Sequence, residues 1–252
     1  MSEIEIVKVD QGAINARILA KEAKADFRRV EAASLKILAR FTSAEGKRFV
    51  ARLFNTLQLN AHFISVISRT RLDHDDVARI EDAIRTRMEA ASTALNQAID
   101  GAEALFKVHG ITCAATYDAV PLDIEVHVLS SLGRRYLEVL GKLDQLMPLL
   151  QTLEIHEVLS TQEVDIQRAN LKRQVRDIAN GTRTLAMGLR RQMNTMAEKA
   201  GDKQPPSEPA DPDKPAANSE ATAIVSAVDG DHEEDGQPAP EIVAVPAAES
   251  ES

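Results

Sequence analysis

Aromatic residues are scarce in this 252-residue chain, which has no Trp, two Tyr and six Phe. That scarcity disfavours a β-sandwich core, and the abundance of Ala, Leu and Ile favours helices packed through aliphatic side chains. It also argues against recognition of single strands by stacking, which needs exposed aromatics. Cys113 is the one cysteine, so no disulfide can close within the chain and a reducing cytoplasm is the expected compartment. With no neighbouring histidine or base, Cys113 reads as a small buried residue. No apolar run approaches the roughly 20 residues of a membrane span. Residues Met1 to Glu5 lack the basic and apolar regions of a secretion signal. There is no glycine-rich phosphate loop, G-x-S-x-G, H-E-x-x-H or paired-cysteine zinc pattern. No catalytic residue, metal ligand or cofactor is assigned, and an enzyme is not expected.

Proline is rare before Ala200 and frequent after it, with eight of the ten prolines in the last 52 residues. That segment holds thirteen acids against Lys203 and Lys214, so it carries more than the whole net charge of −9. The first 200 residues are close to neutral, and the overall acidity does not exclude nucleic acid as a partner. A segment so rich in Pro, Ala and acids cannot bury enough apolar surface to offset its ordering entropy. Residues 1–200 are therefore expected to form one α-helical domain with a small β-ribbon. Residues 201–252 are expected to be a disordered acidic tail, either a solubilising appendage or a decoy that competes with DNA for basic residues.

Within the first 200 residues the periodicity is mostly helical. Phe27, Val30, Ser34, Leu38 and Phe41 predict a helix over 24–41, and Val50, Leu53, Leu57, Ala61, Ile64 and Ile67 predict one over 46–68. Asp73 to Asp76 supply an N-cap and an acidic first turn to a long helix that ends near Gly110. That helix start explains the Asp73-His74-Asp75-Asp76 cluster without a metal. His62 and His109 lie near apolar stripes and read as packed or solvated. A strand is considered around 111–117, ahead of Pro121.

A helix follows from Ser131 towards Val158, striped by Leu132, Tyr136, Val139, Leu143, Leu146, Leu150 and Leu153. Pro148 is expected to kink or interrupt it. The last helix starts at Ser160, where Ser160 and Glu163 have capping-box spacing. Its stripe is Val164, Leu171, Val175, Ile178, Leu185 and Leu189, and Gly181 should weaken it midway. Alternation predicts strands only over Ile4–Val9 and Leu122–Val128. The fold class is thus mainly α, a bundle of long antiparallel helices with a small β element.

Basic residues gather on two surfaces. Arg168, Lys172, Arg176, Arg183 and Arg190 share one flank of the last helix, with Glu163 and Asp177 on the other. The flank suits phosphate tracking, or it is a solvated face whose arginines lie over the core edge. A second group, including Arg28, Lys36, Arg40, Lys47, Arg48 and Arg52, is open to the same two readings.

The strand Leu122–Val128, the run Arg134-Arg135-Tyr136-Leu137 and the run Lys142-Leu143-Asp144-Gln145-Leu146 resemble the AcaB-like family of integrating conjugative element and plasmid proteins. The likeness continues through Leu149, Leu150 and Leu153 to Leu171-Lys172-Arg173. It implies carriage on a mobile element and a DNA-binding transcriptional regulator with a ribbon-helix-helix-like core, expected to act as a homodimer on double-stranded DNA. Arg134, Arg135, Arg168, Lys172, Arg173 and Arg176 are the candidate DNA contacts. The alternative is a non-catalytic helical adaptor or assembly protein of the same element. The outward residues of the strand, Asp123, Glu125 and His127, are poor partners for phosphate. Pairing of this strand within the chain, with Ile4–Val9, therefore stands beside pairing across two chains.

Overall fold

The computed structural model describes residues 13–24 and 33–201. The strand expected over Ile4–Val9 and the acidic tail beyond Gly201 lie outside the described residues. The described chain is mainly helical with one two-stranded antiparallel sheet, as expected. Its order is α1 (Ala13–Lys24), β1 (Leu35–Phe41), α2 (44–70), α3 (His74–His109), β2 (Leu122–Val128), α4 (Ser131–Ile155) and α5 (Thr161–Gly201).

Strand β1 replaces the helix expected over 24–41, the remainder of which falls largely on residues outside the description. Leu35, Ile37, Ala39 and Phe41 alternate, and all four pair with core-facing residues of β2. Leu38 had suggested a helical stripe, but it points outward and is 76% exposed. Among the described residues the partner of β2 is β1, in register from Leu35–Val128 to Phe41–Leu122. No strand forms over 111–117. That connection is held by polar bonds instead: Ala115 N–H donates to Thr152 Oγ1 (2.7 Å), and Asn15 Nδ2 donates to the Val120 carbonyl (2.9 Å). Cys113 lies exposed on it, contrary to the buried position expected.

Helix α2 runs unbroken, but its hydrogen bonding changes from α to π over Val50–Phe54 and again over Phe63–Ile67, ending in a 3-10 turn at Ser68–Thr70. Asp73 caps α3, which runs 36 residues, roughly 54 Å, to Gly110 in the left-handed conformation (φ 66°). Helix α4 passes through Pro148 without interruption. Met147, Leu150 and Leu153 are buried on both sides of the proline, and that packing holds the helix across the lost hydrogen bond. Helix α5 likewise passes through Gly181, where a Cβ would collide with the Arg87 guanidinium from α3. That guanidinium is the free end of a long flexible side chain and can swing aside, so the contact does not by itself require glycine. The Ser160 capping box forms, with Ser160 N–H donating to Glu163 Oε2 (2.9 Å) and Glu163 N–H to Ser160 Oγ (3.3 Å). The backbone N–H of Ser160 and its hydroxyl, which also donates to Oε2 (2.8 Å), hold the Glu163 carboxyl below its ordinary range.

The elements group into two strand–helix–helix units, β1-α2-α3 and β2-α4-α5. One hydrophobic core runs through both, from Phe41, Phe54 and Leu57 to Tyr136, Leu143 and Val175. The ribbon packs its inner face, Phe41, Leu122, Ile124 and Val126, onto this core. Its outer face is left to solvent.

Candidate nucleic-acid interface

The outer face of the ribbon carries Lys36, Leu38 and Arg40 from β1 and Asp123, Glu125 and His127 from β2. Lys36 reaches Glu125 (3.3 Å) and Arg40 reaches Asp123 (3.6 Å), all four side chains being more than half exposed. Ser34 Oγ and His127 Nδ1 lie 3.2 Å apart. The acids that made β2 a poor phosphate partner are thus compensated across the ribbon by β1.

At one end of the ribbon, Ser43 opens α2 by accepting from Gly46 N–H (2.9 Å); at the other, Ser130 opens α4 by accepting from Gly133 N–H (3.1 Å). The α2 corner is locked by Asp144 of α4. Its carboxylate accepts from Thr42 N–H (2.9 Å), Ser43 N–H (2.8 Å), Ser43 Oγ (2.6 Å) and Thr42 Oγ1 (3.1 Å). Gly46 permits this approach, because a Cβ there would overlap Asp144 Oδ1. Lys47 lies beside this corner and is buried, its Nζ donating to the Val120 carbonyl. Burial pushes the Lys47 ammonium below its ordinary pKa, and the Asp144 charge opposes the shift.

The six predicted contacts divide. Arg134 and Arg135 project from the first turns of α4; Arg134 pairs with Glu138 (2.7 Å), and Arg135 approaches Glu89 (3.8 Å) across an open groove on α3. Arg173 and Arg176 are exposed on α5 and Lys172 is half-exposed. Tyr136 Oη donates to the Val175 carbonyl (3.0 Å), which ties this level of α5 to the first turns of α4. Burial pushes the Tyr136 phenol far up, so the donor is permanent.

Arg168 is different. It is 16% exposed and spans α5 and α4, donating to Gln151 Oε1 (2.9 Å) and lying 3.9 Å from Glu154. Arg190 sits over the Phe63 ring (4.3 Å to the centroid) and donates to Asn60 Oδ1 (3.4 Å). Both arginines brace the bundle, so the basic flank read from periodicity narrows to its outward members. Lys36 and Arg40 belong to the interface through the β1 strand, which was not expected. Arg48 is exposed at the start of α2. The sequence held a signal for it: Ser43, Gly46, Arg48 and Phe49 repeat the spacing of Ser130, Gly133, Arg135 and Tyr136.

Among the described residues no group of three or more His, Cys, Asp or Glu is placed to hold a metal ion. Asp73 serves as the α3 cap, accepting from Asp75 N–H (3.2 Å). No helix among them is long and apolar enough to cross a membrane.

No protein-family model matches the chain, and no curated protein is significantly similar to it. A crystal structure is: selenomethionine-containing AcaB from uropathogenic E. coli, with a TM-score of 0.62 over 78% of this chain and 99% of that one. The chain has the AcaB fold. The AcaB-like resemblance, carried in the sequence mainly by residues 120–180, therefore extends over most of the chain as structure. Identity to AcaB is 19%, so what is shared is the fold.

Proposed function

We propose that the protein is a DNA-binding transcriptional regulator of a conjugative or integrative mobile element, acting in the cytoplasm without catalysis or cofactor. The observation that carries this reading is the ribbon: two seven-residue strands anchored on one face by the core, charged on the other, and open to solvent. The major groove of B-DNA, about 12 Å wide, admits such a ribbon. Arg134, Arg135, Lys172, Arg173 and Arg176 supply cations for the flanking phosphates. The AcaB fold and the AcaB-like run Arg134–Leu137 support placing the protein on a mobile element.

Mobility-shift titration against duplexes from the element's own promoters tests the proposal. Sequence-preferring binding whose log affinity falls linearly with log salt is expected. An absence of binding at low salt on every such duplex contradicts it.

A second reading, a non-catalytic adaptor or assembly protein of the element, draws on different features. The ribbon cations are already paired with Asp123 and Glu125, and Leu35 and Leu38 leave apolar surface exposed beside them. A stoichiometric protein partner recovered free of DNA favours this alternative.

A further inference from the structure

The two strand–helix–helix units repeat at a constant offset of 87 residues. Strand Leu35–Phe41 maps onto Leu122–Val128, cap Ser43 onto Ser130, and cap Asp73 onto Ser160. Burial follows the same offset. Ile84, Met88, Ala91, Leu95, Ile99 and Ala102 on α3 are buried, and so are Leu171, Val175, Ile178, Thr182, Ala186 and Leu189 on α5.

A bracing position is kept with its charge reversed: Glu81 of α3 holds Arg69 at the end of α2 (2.8 Å), and its counterpart Arg168 lies 3.9 Å from Glu154 at the end of α4, two residues before the position that corresponds to Arg69. The ribbon register completes the relation. Leu38 pairs with Glu125, which is also the residue 87 positions further on, so a local two-fold axis passes through the centre of the ribbon. Lys36 and Asp123 exchange across that axis, as do Arg40 and His127.

We infer that the chain is an internally duplicated ribbon-helix-helix pair, in which one molecule supplies both halves of the ribbon and reads a non-palindromic duplex site. The inference rests on the DNA-binding reading above. A ribbon built from two identical chains presents the same residues on both sides of its axis and matches a palindrome, because the symmetry of the protein is mirrored in the site. Here one half presents Lys36, Leu38 and Arg40, and the other Asp123, Glu125 and His127. Lys and Arg suit the guanine edge, whereas Asp and Glu accept from cytosine N4. The two sides of the axis therefore favour different bases. The second strand, which a two-chain ribbon would take from a partner, is here supplied by the same chain.

Selection of the full chain on a random duplex pool, followed by native mass spectrometry of the enriched complex, tests this. One chain per duplex and a motif without inverted-repeat symmetry are expected. Arg40→Ala, at a solvent-facing position, should then relax base preference on one side of the motif centre only. A palindromic motif occupied by two chains, or symmetric relaxation by Arg40→Ala, overturns the inference and leaves DNA binding standing. Failure of every duplex to enrich overturns the DNA-binding reading, and this inference with it.

Discussion

Asp144 gathers four donors from Thr42 and Ser43 into one buried carboxylate, and so fixes where β1 ends and α2 begins. Its replacement leaves two backbone N–H groups without a buried partner. Asp144→Ala should cost about 2–4 kcal/mol in chemical denaturation. Gly46→Ala should also destabilise, since the new methyl group displaces the same carboxylate. His62 is held neutral by burial, its pKa lowered from the ordinary 6.5. The unfolded chain then binds more protons than the folded one, so His62 contributes stability above pH 6.5 that is lost as pH falls towards the lowered folded value. Thermal unfolding should show that loss, and His62→Gln should flatten it. Glu157, in the turn between α4 and α5, holds a left-handed φ of 55° that glycine adopts freely. Glu157→Gly should stabilise by about 1 kcal/mol, read in the same denaturation experiment.

At the scale of elements, the outward cations of α5 are the sharpest test of the interface. Replacing Lys172, Arg173 and Arg176 with Glu should weaken DNA binding at every sequence and make the salt slope shallower by about 0.9 for each phosphate no longer neutralised. An adaptor whose partner docks elsewhere would be little changed.

Long helices were legible in the sequence because their stripes persist over many turns; all seven predicted stripe residues of α4, from Leu132 to Leu153, are buried. Strand β1 was hidden by one residue. Leu38, apolar but outward-facing, broke the alternation of Leu35, Ile37, Ala39 and Phe41 and completed a false helical spacing. Pro148 does not interrupt its helix, because buried neighbours on both sides hold the helix through it. Arg168 shows what periodicity leaves out: it places a residue on a flank without showing that Gln151 and Glu154 reach it there.

For the whole molecule, duplication explains why one chain holds two capped strand–helix–helix corners around a single ribbon. It was obscured in the sequence because few identities survive, Ser43/Ser130, Gly46/Gly133 and Arg48/Arg135 among them, while the burial pattern stayed intact. Net charge acts at this scale too. Removing residues 202–252 takes away thirteen acids and two lysines, and should raise DNA affinity severalfold at low salt.

Genome-wide mapping of bound DNA in a host carrying the element tests the regulatory function most directly. Enriched sites at the element's own promoters are expected for the unaltered chain, and their loss when Lys172, Arg173 and Arg176 are replaced by Glu. A chain recovered with a protein partner and no enriched DNA would contradict a regulatory role.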